Sequence, residues 1–397
     1  MDNLIQYQTN LLQKIDNQFL RYPYNSIAWK ERYVGIKGLR GVGKTTMLLQ
    51  HLKFQLGVDG KHLYATLDHP YFYDHTLYDL AQSFYQLGGE TLLVDEVHKM
   101  KDWSSQIKII YDGFPSLQMI FTSSSALDLY RGEADLSRRV VTYHLGGLSF
   151  REYLELYHDI RYPRIEWQDL LHHHRAHASE LTKTFRPLPL FKDYLKRGYF
   201  PFSKNLTPGS FDIRLVQTLD AVLNEDLSYV EGYSVDNIFK IKKLLSILAE
   251  SVPFTVNISS IADKLTIGRN TIKEYMHALE SAGLLNFLNR EGKGLSVLQK
   301  PDKIYLENTN IAYALRPSPD MGTIRETFVL NQLKHSGKKV YLPKDGDMLV
   351  DEYTFEIGGK NKTDKQVKQV PGHFVIADDM EVGFMQKIPL YLFGFLY

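Results

Sequence analysis

The amino-acid sequence predicts an α/β protein that begins with a parallel β-sheet covered by helices. Apolar runs with the length of buried strands occur at residues 33–37, 62–67, 91–95, 118–122 and 140–144. The segments between them carry apolar side chains at the three- and four-residue spacing of helices. Parallel strands must be joined by crossover connections, which are usually helices, so this alternation is typical of a parallel sheet.

Length and composition limit the classes of protein that fit. The chain has 397 residues, so two or three domains are expected. Hydrophobic residues make up 44% and charged residues 23%, which is ordinary for a globular protein and excludes a largely disordered one. With 47 basic and 46 acidic residues the net charge is +1, so nucleic-acid binding over the whole surface is not expected, although local patches are compatible with it. The absence of cysteine excludes disulfides and cysteine-ligated zinc.

We expect a cytoplasmic protein that does not bind membranes. The start of the chain, Met-Asp-Asn-Leu, lacks the basic and then apolar pattern of a signal peptide. No apolar run approaches the roughly 20 residues that span a bilayer. The most apolar stretch, residues 388–397, is too short for that, and we interpret it as a buried strand.

The strongest motif follows the first predicted strand. Residues 38–45 read Gly-Leu-Arg-Gly-Val-Gly-Lys-Thr, which fits the phosphate-binding pattern G-x-x-x-x-G-K-[ST]. Glycines let backbone N–H groups turn towards a phosphate, and the helix that starts here directs its positive end at the same anion. Lys44 should reach the β- and γ-phosphates, and the Thr45 hydroxyl should ligate Mg²⁺. The predicted nucleotide-binding residues of this segment are Gly38, Gly41, Val42, Gly43, Lys44, Thr45 and Thr46.

Two acidic residues end the third predicted strand. Asp95 and Glu96 follow the apolar run Leu-Leu-Val. A strand buried on both faces brings these acids out at the carboxyl edge of the sheet, beside the phosphate loop. Asp95 should hold Mg²⁺ directly or through water, and Glu96 should orient or deprotonate the attacking water. The alternative is that the acid pair caps a helix.

Two further positions have alternative interpretations. Thr122 begins the run Thr-Ser-Ser-Ser after the fourth predicted strand. Its hydroxyl either senses the γ-phosphate or belongs to a helix cap. Arg139 follows Arg138. Arg139 either supplies positive charge to the transition state, in its own chain or in a neighbouring subunit, or belongs to a solvated surface pair.

Several short segments match motifs of one known family. They are the phosphate loop and residues 95–99, 121–125, 136–139 and 148–153. Together they resemble prokaryotic AAA-type ATPases that have a C-terminal extension of uncharacterised function. In that family a Gly-Arg pair precedes a Pro-Leu-Ser-Phe segment, whereas here Arg138 replaces the Gly and Gly147 the Pro. The resemblance implies ATP as the nucleotide and an arginine-finger role for Arg139.

A helix–turn–helix pattern lies further along the chain. Apolar residues at helical spacing predict helices at 257–265 and 270–282. Predicted strands at 284–289 and 294–298 follow, and this order predicts a winged helix, which the resemblance also implies.

The exposed face of the second helix is the candidate partner surface. In a DNA reader this face enters the major groove, and Lys293 lies near the phosphates. Winged helices also bind proteins, so DNA, a protein partner and a second copy of the chain are all candidate partners. The residues of the face are Arg269, Asn270, Thr271, Lys273 and Glu274.

The family also resembles restriction endonucleases at its C-terminus. That fold holds a divalent ion with a Glu, an Asp and a Glu-x-Lys pair, and the lysine helps to activate water. The resemblance places Glu326, Asp347 and Glu356 as the acids, but position 358 is glycine where lysine is expected. Because residues two apart share a strand face, no lysine stands beside Glu356. We therefore predict no or very weak DNA cleavage, unless Lys360 or Lys362 reaches back across the glycines. Alternatively, the three acids are ordinary surface residues.

These patterns predict four domains. They are a P-loop AAA-type ATPase domain at 1–155, a helical lid or linker at 156–233, a winged helix at 234–310 and a degenerate nuclease-like domain at 311–397. The predicted activity is Mg²⁺-dependent hydrolysis of ATP to ADP and phosphate. Two roles compete: an ATPase that acts on DNA, and a nucleotide-gated switch that binds a protein partner and turns over slowly.

Overall fold

The structure is a computed structural model that describes residues 1–125, 136–227, 235–251, 257–292, 300–316 and 318–397. The chain forms two compact units. The first unit comprises Met1–Gly147 and Ala221–Val235, and the second comprises Leu148–Asp220 and Asp236–Tyr397. The first unit therefore contains most of the predicted ATPase domain together with a later segment of the chain. The finer division of the remaining residues into three domains stays a prediction.

The first unit is built on a five-stranded sheet. Its strands are β1 (Tyr33–Gly38), β2 (His62–Thr66), β3 (Thr91–Asp95), β4 (Gln118–Ser124) and β5 (Val141–His144). They lie in the order β2-β3-β4-β1-β5, and all neighbouring pairs are parallel. The predicted α/β class with a parallel sheet is confirmed. The helices of this unit are α1 (Asp2–Leu12), α2 (Lys44–His51), α3 (Leu77–Gln86) and α4 (Trp103–Gly113).

Helix caps and apolar faces explain these elements. The Thr76 hydroxyl accepts a hydrogen bond from the Asp79 amide, and the Asp79 carboxylate accepts one from the Thr76 amide, so α3 starts with a capping box. Apolar residues of α3 and α4 pack in one buried cluster with side chains of β2, β3 and β4. Burial on both faces explains why the central strands are continuous apolar runs.

The strand register brings the functional loops to one edge. Gly38 at the end of β1 lies opposite Ser124 at the end of β4, and Thr66 at the end of β2 lies opposite Asp95. The segments that follow β1, β3 and β4 therefore leave the sheet at the same carboxyl edge. In open α/β sheets this edge is where ligands bind.

The second unit is rich in helices. A capping box formed by Ser149 and Glu152 starts the first of them. From there to the C-terminus the helices are α5 (Phe150–His158), α6 (Trp167–His172), α7 (His174–Thr184), α8 (Pro187–Arg197), α9 (Pro208–Ala221), α10 (Val235–Ser251), α11 (Ile258–Leu265), α12 (Arg269–Ser281), α13 (Thr309–Leu315) and α14 (Met321–His335). Within the described residues, every helix is too short or too polar to cross a bilayer.

The helix pair α11 and α12 forms as the spacing predicts. Strand β6 (Leu285–Leu288) follows it and pairs antiparallel with β7 (Lys303–Leu306). The residues 303–306 provide three consecutive buried apolar side chains, which make them a core strand. Residues 293–299, with the predicted wing strand and Lys293, lie outside the described residues.

A mixed sheet follows near the C-terminus. Its strands are β8 (Val340–Tyr341), β9 (Met348–Val350), β10 (Tyr353–Gly358), β11 (His373–Ala377) and β12 (Lys387–Pro389), in the order β12-β11-β10-β9-β8. The pairs β8–β9 and β9–β10 are antiparallel, whereas β10–β11 and β11–β12 are parallel. Helix α14 packs against β10.

The prediction of one buried strand at 388–397 is wrong. The strand ends at Pro389, and Leu390–Phe395 form a 3₁₀-helix. Proline has no N–H to donate to a sheet, and the aromatic side chains beyond it pack against another aromatic ring. Tyr391 and Phe395 pack against Phe150, with ring centroids 6.5 Å and 5.8 Å away.

Candidate functional site

The loop after β1 has the backbone shape that its glycines predict. Gly41 and Gly43 adopt φ angles of 84° and 99°, a region that side chains with a Cβ rarely enter. A Cβ at Gly38 would lie 2.4 Å from the carbonyl oxygen of Leu145. Helix α2 starts immediately after Gly43, so Thr45 and Thr46 lie in its first turn. The unpaired N–H groups of that turn face any anion held by the loop.

The ammonium of Lys44 is held at the loop. Its side chain is buried, and Nζ donates hydrogen bonds to the carbonyl oxygens of Gly38 at 2.7 Å and Leu39 at 3.3 Å. Both acceptors belong to the loop itself. The loop therefore concentrates a positive charge and a helix N-terminus in one place, which favours a polyphosphate.

Asp95 is the centre of a hydrogen-bond network. Its Oδ2 accepts a bond of 2.6 Å from the Thr45 hydroxyl and one of 2.9 Å from the Tyr64 hydroxyl. Its Oδ1 accepts a bond from the Thr122 hydroxyl. Asp95 is 3% exposed, so these three donors stabilise a carboxylate that has little contact with water.

Tyr64 was not predicted from the sequence. It lies on β2 with its backbone opposite Leu93, and its ring reaches the end of β3. Burial and the nearby Asp95 charge raise the pKa of Tyr64 well above its ordinary value, so it stays a donor at neutral pH. A tyrosine within a strand is common in sequences, and only the neighbouring position of β2 and β3 shows its role.

Thr45 and Asp95 fit a Mg²⁺ ion by their chemistry. A hydroxyl and a carboxylate are the hard oxygen ligands that Mg²⁺ prefers, and they lie within 2.6 Å of each other beside the loop. Mg²⁺ usually takes only one or two protein ligands and completes its shell with water and substrate phosphates. Among the described residues, no three His, Asp or Glu side chains form a metal-binding group.

Thr122 has two partners in the same network. Besides donating to Asp95, its hydroxyl accepts a hydrogen bond of 3.0 Å from the Glu96 amide. The side chain is fully buried. Thr122 therefore links β4 to both acids that follow β3, and its role as a sensor of the γ-phosphate stays a prediction.

Glu96 leaves the sheet in a constrained conformation. Its φ is 56°, in the left-handed region that residues with a side chain rarely adopt. Its Oε2 lies 3.2 Å from Nε2 of His98, which is itself buried. The backbone bond to Thr122 and the imidazole together fix the direction of the carboxylate at the carboxyl edge.

Arg139 lies at the opposite edge of the sheet. It precedes β5, which runs parallel to β1, so it stands at the amino ends of the strands. Its Nη2 lies 3.1 Å from Oδ2 of Asp112, at the end of α4. The structure therefore does not bring Arg139 to the phosphate loop of its own unit.

Arg21 is a second residue that the sequence did not indicate. It is buried, and its guanidinium donates to the carbonyl of Val42 in the phosphate loop. Nη2 donates to the carbonyls of Gly146 at 3.0 Å and Gly147 at 2.8 Å. One side chain thus joins the phosphate loop to the segment after β5, which shapes the loop from behind.

The second unit contains the three acids predicted near the C-terminus. Glu326 Oε2 accepts a hydrogen bond of 2.6 Å from the Tyr305 hydroxyl and lies 3.4 Å from Nζ of Lys303. Burial raises the pKa of Glu326, Lys303 opposes this, and Asp347 adds to it. Asp347 Oδ2 accepts a bond of 2.8 Å from the Ile357 amide. Burial raises the pKa of Glu356, Lys362 opposes this, and Asp347 adds to it.

A lysine does stand beside Glu356, which corrects the sequence argument. Glu356 is fully buried on β10, and Nζ of Lys362 lies 2.5 Å from its Oε1. Lys360 instead contributes its carbonyl oxygen to a hydrogen bond from Lys387. The chain turns after Gly358, the last residue of β10, and brings Lys362 back to the strand.

A polar groove opens beside α12. Its volume is about 520 Å³, and three of its residues carry a positive charge. The groove contains the start of α12, whose first residues also offer unpaired N–H groups. The lining residues are Asn257, Ile258, Ser259, Arg269, Asn270, Lys273 and Lys300.

Comparisons with known proteins agree with the fold of the first unit. Residues 30–154 match an AAA domain, and residues 188–321 match a domain of unknown function, DUF8612. The AAA match covers the phosphate loop and both acids, so it supports an AAA-type P-loop ATPase. An uncharacterised protein of Methanocaldococcus jannaschii, MJ1637, is 26% identical over 369 residues, which are 85% of this chain and 78% of that protein.

Two solved structures show a distant likeness. The Walker-type ATPase PABY2304 of Pyrococcus abyssi aligns with a TM-score of 0.41 and 11% identity, over 75% of this chain and 96% of its own. The ORC1 protein of Aeropyrum pernix, in complex with DNA, aligns with a TM-score of 0.30 and 13% identity, over 78% of this chain and 91% of its own.

Proposed function

We propose that the first unit binds ATP with Mg²⁺ and hydrolyses it to ADP and phosphate. The observation that carries this proposal is the position of Asp95. Its buried carboxylate receives the hydroxyl of Thr45 from the phosphate loop and is oriented by Tyr64 and Thr122. Such an arrangement prepares oxygen ligands next to a phosphate-binding loop, which is what nucleotide hydrolysis requires.

The loop residues bind the phosphates. Backbone N–H groups of Gly41, Val42 and Gly43 and of the first turn of α2 donate to phosphate oxygens. Lys44 gives up its bonds to the loop carbonyls and moves its ammonium to the β- and γ-phosphates. ATP rather than GTP rests on the family resemblance, since the loop contacts only phosphates.

Thr45 and Asp95 would hold Mg²⁺, which when bound neutralises charge that develops on the phosphates. Tyr64 and Thr122 donate hydrogen bonds that hold the Asp95 carboxylate in place. Glu96 accepts a proton from the attacking water, and His98 fixes its carboxylate at 3.2 Å. Each of these side chains comes from the carboxyl ends of β2, β3 or β4 or from the loop.

The position of Arg139 favours a role in a second copy of the chain. At the amino edge of the sheet it lies away from the phosphate loop of its own unit. A homo-oligomer in which one copy presents this edge to the nucleotide of the next would use Arg139 in trans.

Phosphate release from ATP tests the activity. Lys44→Ala should abolish nucleotide binding or turnover, because the loop loses the ammonium that is held at its carbonyls and should reach the β- and γ-phosphates. Lys61→Ala is the matched control, since Lys61 is an exposed residue of the same unit paired with Glu90. Hydrolysis by Lys44→Ala at the parental rate would overturn the assignment.

A second candidate function is DNA binding by α11 and α12, which we propose as a winged helix. The groove beside α12 favours it, because Arg269, Lys273 and Lys300 line it and none of the described lining residues is acidic. Neutralisation of phosphates by such side chains makes binding depend on salt. The alternative, a nucleotide-gated switch for a protein partner, uses the same surface.

The ATPase rate with and without duplex DNA, at two salt concentrations, separates these roles. Stimulation by DNA that falls at the higher salt concentration supports an ATPase that acts on DNA. Slow hydrolysis that DNA does not change supports the protein-interaction switch.

A further inference from the structure

Asp226 reaches the candidate ATPase site from a distant part of the chain. It lies in the segment Ala221–Val235, which belongs to the first unit although residues on both sides of it belong to the second. It ends a single helical turn, Val222–Asp226, and its side chain is fully buried. The AAA match at residues 30–154 does not include it.

The Asp226 carboxylate contacts three segments at the carboxyl edge. Oδ1 lies 3.0 Å from Nη2 of Arg40 in the phosphate loop and 3.6 Å from Nε2 of His98. Oδ2 accepts a hydrogen bond of 2.6 Å from the hydroxyl of Ser124, the last residue of β4. The carboxylate thus joins the loop after β1, the turn after β3 and the end of β4.

Asp226 is charged in this position. Burial acts to raise its pKa, but His98, Ser124 and Arg40 outweigh burial and hold the pKa below its ordinary value. A buried charge is costly unless it is paired and hydrogen-bonded, so these partners are what the carboxylate needs. In return, the carboxylate fixes the positions of the three side chains.

His98 connects Asp226 to Glu96. The same nitrogen, Nε2, lies 3.2 Å from Glu96 Oε2 and 3.6 Å from Asp226 Oδ1. Nε2 carries at most one hydrogen, so the position of the Asp226 carboxylate affects how the imidazole is shared between the two acids. Displacement of Asp226 would release the ring and, with it, the Glu96 carboxylate.

We infer that Asp226 is a positioning residue for ATP hydrolysis: through His98 it holds Glu96 in the direction needed to activate water. This inference rests on the proposed function, because it assigns Glu96 that role. Turnover then depends on a residue of the segment Ala221–Val235 as well as on residues 30–154, which match an AAA domain. Binding of nucleotide, which uses the phosphate loop, should depend on Asp226 much less.

The first test separates turnover from binding in the full-length protein. Asp226→Asn should lower kcat about 10- to 100-fold, because part of the contribution of the general base is lost. The Kd for ATP should change less than about threefold. Glu225→Ala is the matched control, since Glu225 lies in the same turn and pairs with Arg40 and Lys99. An unchanged kcat in Asp226→Asn, or a loss that Glu225→Ala shares, would overturn the inference.

A double-mutant cycle tests the route through His98. If Asp226 acts on Glu96 through the imidazole, the double variant Asp226→Asn/His98→Gln should have the same kcat as the less active of the two single variants. Losses that multiply would contradict this route. Thermal melting shows whether each variant is folded. If Asp226→Asn does not fold, His98→Gln alone tests the route. In that variant kcat should fall while the Kd for ATP is retained.

The parental protein and Lys44→Ala distinguish failure of the proposed function from failure of the role of Asp226. If the parent has no ATPase activity that Lys44→Ala removes, the proposed function itself fails. If that activity is present and Asp226→Asn leaves it intact, only the role of Asp226 fails.

Discussion

Lys362 occupies the space that a side chain at position 358 would need. A Cβ at Gly358 would lie 2.7 Å from Cγ and Cδ of Lys362. The aliphatic part of the lysine therefore crosses the strand above the glycine, and its ammonium ends 2.5 Å from Glu356 Oε1. Lys362, from the turn after β10, thus lies where a lysine at position 358 would have placed its side chain.

We still expect no or very weak cleavage of DNA with Mg²⁺ or Mn²⁺, for a different reason. Glu356 and Glu326 each have a lysine, and Asp347 accepts the Ile357 amide, so a metal ion would have to displace these partners. The test is to incubate plasmid and linear DNA with the protein, with Asp347→Ala and with Lys362→Ala, and to measure cleavage. Robust cutting that both variants lose would contradict the expectation and make Lys362 the catalytic cation.

Glu96→Gln should separate binding from hydrolysis. The amide keeps the shape of the side chain but cannot accept a proton, so turnover should fall about 10²- to 10⁴-fold. ATP affinity should stay near the parental value, because the phosphate loop is unchanged. Equilibrium binding and phosphate release measured on the same preparation check this, and equal losses in both would argue for a structural role of Glu96.

Thr122→Val should raise the concentration of Mg²⁺ needed for half-maximal activity, by about 10-fold. Valine matches threonine in shape but removes the donor to Asp95 and the acceptor for the Glu96 amide. Thr122→Ser is the control, since it retains the hydroxyl. A Mg²⁺ titration of ATPase activity decides between them, and identical curves for the two variants would show that the hydroxyl does not orient Asp95.

Arg139→Ala should leave turnover unchanged in dilute protein. The pair with Asp112 is partly exposed, with side chains 25% and 54% accessible, and such pairs stabilise a fold by about 0–1 kcal/mol. If Arg139 acts in a second copy, the activity per chain of the parent should rise with protein concentration, and that of the variant should not. A loss in Arg139→Ala that is the same at every concentration would instead indicate action within one chain.

Lys273→Ala should weaken DNA binding and reduce the slope of log K against log salt by about 1, as expected for one phosphate contact. Lys264→Ala is the control, because Lys264 is exposed on α11 but does not line the groove. Binding of labelled duplex DNA at several salt concentrations measures both. An effect of Lys264→Ala equal to that of Lys273→Ala would leave only general attraction between charges.

Local patterns in the sequence were sufficient for much of the first unit. Strands β1 to β4 lie where short apolar runs occur, because a strand buried on both faces must be largely apolar, whereas the edge strand β5 is mostly exposed. The glycines of the phosphate loop were equally readable, since backbone angles such as those of Gly41 and Gly43 nearly require glycine. Such features depend on residues close together in the chain.

The predictions about individual side chains depended on the strand order and were less complete. Asp95 and Glu96 reach the expected edge, but Arg139 lies at the other one because it precedes a parallel strand rather than following it. The sequence contains no signal for the order of the strands, so it could not indicate that Tyr64 faces Asp95 or that Arg21 supports Val42.

Patterns in the sequence are enough to predict the parallel sheet, the phosphate loop and the acids after β3, because spacing along the chain and backbone geometry define them. Which distant side chains meet depends instead on how the chain packs. Asp226 reaches His98 and Arg40, and Lys362 reaches Glu356, since burial leaves a carboxylate in need of a cation or donor. Any residue that packing brings near the carboxylate can supply the cation or donor, so its position in the sequence is not constrained.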